Sequence, residues 1–233
     1  MDGTLSGHVK REQRGRHFEP FNQTRPVEYG RKWNLSRGGS GWPTPLQEMG
    51  AETIDGGRLQ YETGNGSSVE VEGGRLTVGS AFDAWRHQER LALRESGVPR
   101  VTLRSEYVQS TNQPGSIDGD WLRQIVAVRQ PLLKGVLEPS VEVERERRRQ
   151  WVLGTDSLTQ EAFSFFEVRP GLTYRSGALE ADGRVEYRTE KGGAEGRFRE
   201  ASQGWTVQSG LSYQPGRSYS ASVRGGYRLR RVT

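Results

Sequence analysis

The chain has 233 residues, a net charge of +5, 27% charged residues and only 32% hydrophobic ones, a balance too lean to fill the thick two-sided core of an α/β fold. Cysteine is absent, which excludes a disulfide framework, a thiolate metal site and a cysteine nucleophile. The 34 Lys and Arg are interleaved with 29 Asp and Glu, unlike a continuous phosphate track, so no nucleic-acid partner is expected. The 31 glycines, with Tyr, Phe and Trp, favour strands and turns over helices. The opening Met-Asp-Gly-Thr-Leu-Ser lacks a basic region followed by an apolar one, so it does not read as a signal peptide, and no run reaches the length of a spanning helix.

In chain order, Leu5 to Val9 reads as strand, Gly38 to Pro45 as loop, and Arg25 to Met49 as a plug-like or surface segment. This divides the chain into residues 1–56, one strand plus irregular segment, and 57–233, a barrel or large sheet. Gly57 to Glu62 reads as strand, and Ser68 to Glu72 with Arg75 to Val78 as a hairpin turning at Gly73-Gly74. Ala81 to Arg94 satisfies neither the helical nor the strand period and stays open between a strand and a short helix. Val101 to Val108 alternates cleanly. Trp121 to Gln130 follows Asp118-Gly119, a hairpin-type dipeptide. Leu137 to Arg148 sets Leu137, Pro139, Val141 and Val143 on one face before Arg145 and Arg147 join it, so a lipid-facing part ends near Val143 and the rest stands in water. Pro139 and Pro170 lack ladder donors and count against central positions in a soluble sheet.

The last third carries the clearest alternation. Strands are expected at Phe166 to Tyr174, Leu179 to Tyr187, Trp205 to Tyr213 and Tyr219 to Leu229, with a weaker one at Ala194 to Arg199. Turns are expected at Ser176-Gly177, Thr189 to Gly193, Ser202 to Gly204 and Gln214 to Gly216. The polar face, Glu167, Arg169, Glu180, Asp182, Arg184, Glu186, Arg197, Arg224 and Arg228, is the candidate lining of a lumen. The aromatic residues Phe166, Tyr174, Tyr187, Trp205, Tyr213, Tyr219 and Tyr227 fall at or near strand ends, where amphipathic rings meet lipid headgroups.

No catalytic, cofactor or metal site is expected. The glycine clusters lack the Lys and hydroxyl of a phosphate cradle, and His8, His17 and His87 have no second ligand at metal spacing. Glu180, Asp182 and Glu186 could pair for acid–base work, but the arginines beside them make a cross-strand charge ladder the simpler reading. The basic groups at Arg145, Arg147 to Arg149 and at Arg228, Arg230, Arg231 are either solvated ends or contacts for anionic lipid.

Through Phe165-Phe166-Glu167-Val168-Arg169-Pro170-Gly171-Leu172-Thr173-Tyr174 and Tyr219 to Leu229, the chain resembles the C-terminal strands of Gram-negative outer-membrane β-barrel proteins, including parts of larger barrels. That resemblance implies an all-β, antiparallel up-and-down meander of about 10–12 strands closing into a barrel. It further implies an outer-membrane location, a non-enzymatic role as channel, transport or structural envelope component, no cofactor, and lipid, lipopolysaccharide or other envelope proteins as partners. The competing expectation is a soluble extracellular or periplasmic β-sandwich or extended sheet that binds carbohydrate or protein through exposed Trp and Tyr.

Overall fold

The computed structural model describes residues 2–14, 51–80, 82–112, 117–152, 160–194, 199–216 and 219–232. They form one sheet of eleven strands: β1 (Gly3–Arg14), β2 (Glu52–Thr63), β3 (Ser68–Val78), β4 (Phe82–Leu93), β5 (Arg100–Asn112), β6 (Ile117–Arg129), β7 (Leu137–Val152), β8 (Gln160–Ser176), β9 (Leu179–Ala194), β10 (Arg199–Gly216) and β11 (Tyr219–Val232). Spatial order equals chain order, and every neighbouring pair is antiparallel. One 3-10 turn, Leu133–Gly135, lies between β6 and β7; no helix among the described residues is long and apolar enough to cross a membrane. From β2 onward short connections explain the order, because a strand that returns after a few residues pairs most readily with the one it left; β1 joins β2 across the longer stretch 15–51.

The all-β meander is as expected, but the sheet is open: β1 and β11 do not pair with each other. In an antiparallel meander of eleven strands the first and last run in the same direction, so closure would need a parallel β1–β11 pair, and none forms. The plug-like segment at Arg25 to Met49 lies outside the described residues, whereas β1 belongs to the same sheet as the rest.

Adjacent strands in register share faces, and every buried side chain among the described residues except Asp120 lies on one of them, here called the inner face. Apolar residues change faces along the strands. At the end where β2 turns into β3 and β10 into β11 they point outward. At the other end a small inner cluster of Leu76, Val78, Phe82, Ala84, Val108, Trp121 and Phe165 is buried.

This inversion accounts for several corrections. β3 runs straight through Gly73-Gly74, with Val69 and Val71 outward before them and Leu76 and Val78 inward after, a phase slip that imitates a hairpin in the sequence. Within Ala81 to Arg94, Ala81 lies outside the described residues and Phe82–Leu93 is strand β4. Its inner Phe82 and Ala84 and outer Leu91 and Leu93 cancel any single period. Asp118-Gly119 lies inside β6 rather than at a turn, with Trp121 inward and Val126 and Val128 outward. The turns expected at Thr189 to Gly193 and Ser202 to Gly204 are paired parts of β9 and β10. Of the weak strand expected at Ala194 to Arg199, Ala194 ends β9 and Arg199 begins β10, and residues 195–198 lie outside the described residues. Residues polar on both faces suit strand ends wetted on both sides, where alternation gives no signal. The prolines do occupy interior strands, and the β8–β9 ladder accordingly skips Arg169 and Pro170. Ser176-Gly177 is a turn as expected, with Gly177 at φ +57.

Candidate functional site

The outer face carries one unbroken apolar row across all eleven strands. Direct pairing joins Leu5, Tyr61, Val69, Leu91 and Leu103 to Val126, Val143, Val168, Tyr187, Trp205 and Leu229. None of these side chains is buried, and Leu5 and Leu229 are 66% and 55% exposed. The next row toward the β10–β11 turn repeats the character from β4 onward: Leu93, Val101, Val128, Val141, Pro170, Val185, Val207 and Tyr227.

Outward rings bound this belt at two levels, and both drift along the sheet. Counted in outward residues from the unbroken row, Trp85 on β4 stands three above it, Tyr107 on β5 two, and Phe166 on β8 one; Tyr187 and Trp205 lie within it, and Tyr227 on β11 is one below. The lower level passes from Tyr61 on β2, in the row, to Tyr174 three below and Tyr213 four below. A steady drift of this kind is what strands tilted against a layer produce. On β8 the levels are eight residues apart, from Phe166 to Tyr174, or about 26 Å along the strand. Tyr187 and Trp205 touch, with ring centroids 4.5 Å apart. Above the unbroken row the outer face turns polar, with His87 bonded to Glu89 at 3.0 Å, and with Asp83, Arg145, Arg147 and Arg149.

The inner face at the same level is a network of charges. Arg123 donates to Glu144 at 2.6 Å; Arg169 donates to Glu144 at 3.1 Å and to Glu142, and pairs with Glu167. Arg188 donates to Glu167 at 3.1 Å and to Glu190 at 2.8 Å, and the Ser202 hydroxyl and Arg230 reach Glu190 at 2.9 and 3.3 Å. The chain of contacts thus crosses β6 to β11. Glu144 and Glu167 are directly opposed like charges, 3% and 1% exposed, and Arg169 between them offsets the repulsion. On the first half, Arg58 donates to Glu70 at 2.6 Å, and Arg86 pairs with Glu72 at 2.5 Å and with Glu106 at 3.0 Å. Beyond the belt, burial pushes the Glu190 carboxyl up, but the Ser202 hydroxyl, Arg188 and Arg230 together hold it below its ordinary range. The Arg188 guanidinium also stacks 4.0 Å from the Phe165 ring.

On β2 and β3, Gly56-Gly57 lies directly against Gly73-Gly74 and floors an outward cavity of about 540 Å³ walled by Val9, Trp85 and Tyr107. Arg75, whose guanidinium sits 5.2 Å from the Trp85 ring and grips Asp83, forms its rim.

Of the residues expected to line a lumen, Glu167, Arg169, Glu180, Asp182, Arg184, Glu186, Arg224 and Arg228 share the inner face, and Arg197 lies outside the described residues. Glu167, Arg169 and Glu186 come together, the last at 3.9 Å from Arg169. Glu180 instead pairs with Arg175 at 3.0 Å, and Arg184 reaches Glu142 at 4.0 Å. Phe166, Tyr174, Tyr187, Trp205, Tyr213 and Tyr227 all face outward; Tyr219 is placed by its backbone pairing with Gly216. Arg123, Glu144, Glu106 and Arg86 are central to the networks yet escape the sequence reading. Their signal was parity: Glu142, Glu144 and Glu146 alternate with the valines and arginines of β7.

Chemically, the clustered carboxylates are engaged by arginines, and no group of three His, Asp or Glu among the described residues could hold a metal ion. His17 lies outside the described residues. No protein-family model matches the chain, and neither the curated proteins nor the solved structures contain a match.

Proposed function

We infer that this chain is wall of an outer-membrane β-barrel, its apolar belt against lipid and its charged face toward the lumen, acting without catalysis as a transport or structural component of a Gram-negative envelope. The observation that carries the reading is the unbroken outward apolar row backed, one residue inward, by Gln60, Glu70, Arg90, Arg104, Glu144, Glu167, Arg188 and Arg230. Lipid tolerates only apolar side chains on a barrel's outer band, whereas the lumen accepts paired charge. The buried Glu144 and Glu167 with their arginines fill space at belt level, which suits a filled or gated wall better than a wide passive pore. Arg145 makes no ion pair among the described residues and stands beside Phe166 just above the belt, at the height where an anionic headgroup of lipid or lipopolysaccharide would lie. A soluble sandwich would require a second sheet over the outer rows, and all eleven strands belong to one.

The test is partitioning of the purified chain between buffer and liposomes, with far-UV circular dichroism and heat-shifted gel mobility. The reading expects strand signal and a heat-dependent mobility shift with lipid or detergent; a monodisperse, strand-rich monomer in plain buffer that ignores liposomes overturns it.

A further inference from the structure

We propose that the edge of β11 that no strand among the described residues pairs receives an antiparallel strand from another polypeptide segment, one that alternates apolar residues on the outer face with acidic residues on the inner face. Three observations carry this. First, β11 is fourteen residues long, has no proline, and every residue from Ser220 to Arg231 is exposed, so a long row of backbone donors and acceptors stands open, guarded only by its arginines. Second, its inner face carries Arg224, Arg228 and Arg230; only Arg230 finds an acidic partner among the described residues, Glu190 at 3.3 Å, because β10 contributes Gly204, Thr206, Gln208 and Gly210 at that level. Acidic side chains opposite Arg224 and Arg228 would supply the missing partners. Third, its outer face continues the apolar rows through Val223, Tyr227 and Leu229, so the incoming strand must be apolar there.

A second copy of this chain fits poorly. Antiparallel β11-to-β11 pairing would bring the arginines of both copies onto one face, where β11 itself has no acidic residue to meet them, and pairing of β11 with the β1 of another copy held in the same orientation would be parallel. The occupant is therefore an acidic amphipathic strand in the manner of β-augmentation. The proposal concerns the edge alone and does not depend on a bilayer.

The chain lacks cysteine, which permits a direct test on the full protein, refolded and checked for strand content by circular dichroism. Gly225 on β11 and Gly183 on β9 share one outer-face row, and a Cβ at either meets nothing within 4 Å; β9 is paired on both edges, β11 on one. The probe is a synthetic thirteen-residue peptide alternating Glu with Val or Tyr and carrying one central cysteine, with a Lys-for-Glu peptide as its counterpart. The expected result is disulfide capture of the Glu peptide by Gly225→Cys but not Gly183→Cys, about tenfold more efficient than capture of the Lys peptide. Combining Arg224→Glu with Arg228→Glu should reverse that preference. Equal capture at both positions, no capture by a folded Gly225→Cys protein, or covalent homodimers that form in place of peptide adducts would overturn the proposal, the last in favour of a second copy.

Discussion

Val185 and Gln203 face outward on neighbouring strands but at different heights: Val185 lies one outward residue below the unbroken apolar row and Gln203 one above it. If the belt meets lipid as proposed, an arginine at Val185 would stand among acyl chains and should cost about 2–4 kcal/mol of insertion free energy, whereas Gln203→Arg should be tolerated. Liposome flotation of the two variants measures the difference. On the inner face, Glu144→Ala removes the carboxylate that Arg123 and Arg169 share; Arg169 keeps Glu142 and Glu167, whereas the partly buried Arg123 loses its 2.6 Å partner. The expected loss is about 3 kcal/mol, read as a lowered urea midpoint in detergent. Glu190 supplies a pH dependence. Because its folded carboxyl is held below the ordinary value, its contribution is present at neutral pH and fades as pH falls through that lowered value. Glu190→Gln should therefore unfold at lower temperature at pH 7 and lose less than the parent protein on acidification, so the two melting curves converge once pH falls below the ordinary carboxylate range.

At the scale of the strand, the belt portion was legible and the collar portion was not, for a physical reason. From Phe166 to Tyr174, Leu179 to Tyr187 and Trp205 to Tyr213, one face meets a single apolar environment and the other a polar one, so period two reads directly. Along β3, β4 and β6 the environments exchange faces within one strand. The code then inverts at Gly73-Gly74, or cancels as in Phe82 to Leu93. The inner network was partly legible. Glu167 and Arg169 stood out on β8, but Glu144 was hidden because the arginines beside it drew the reading to the other face of β7. Glycines in these strands differ in what they permit. Gly73 has open space where a Cβ would go, so Gly73→Ala should stabilise by about 0.5–1 kcal/mol through the unfolded chain. A Cβ at Gly204 would stand 3.0 Å from the Leu229 carbonyl oxygen, so Gly204→Ala should lower the melting temperature. Thermal unfolding followed by circular dichroism compares the pair.

For the whole molecule, closure was the expectation that the pairing does not meet, since β1 and β11 stay apart. Eleven antiparallel strands leave two edges running in the same direction, which no count of hydrophobic residues in the sequence reveals. What the register does establish is a sheet with opposite faces over a common height, apolar outward and charged inward, with aromatic levels that drift from β2 to β11 as in a tilted wall. The most direct test of the proposed membrane role is spin-label accessibility in liposomes, with labels on Gly183→Cys in the outer belt, Gln203→Cys above it and Thr173→Cys on the inner face. Contact with lipid predicts that the label at Gly183 collides with oxygen far more than with an aqueous nickel chelate, while the label at Gln203 shows the reverse and the label at Thr173 is shielded from lipid. Equal nickel access at Gly183 and Gln203 in the liposome-bound protein would contradict it.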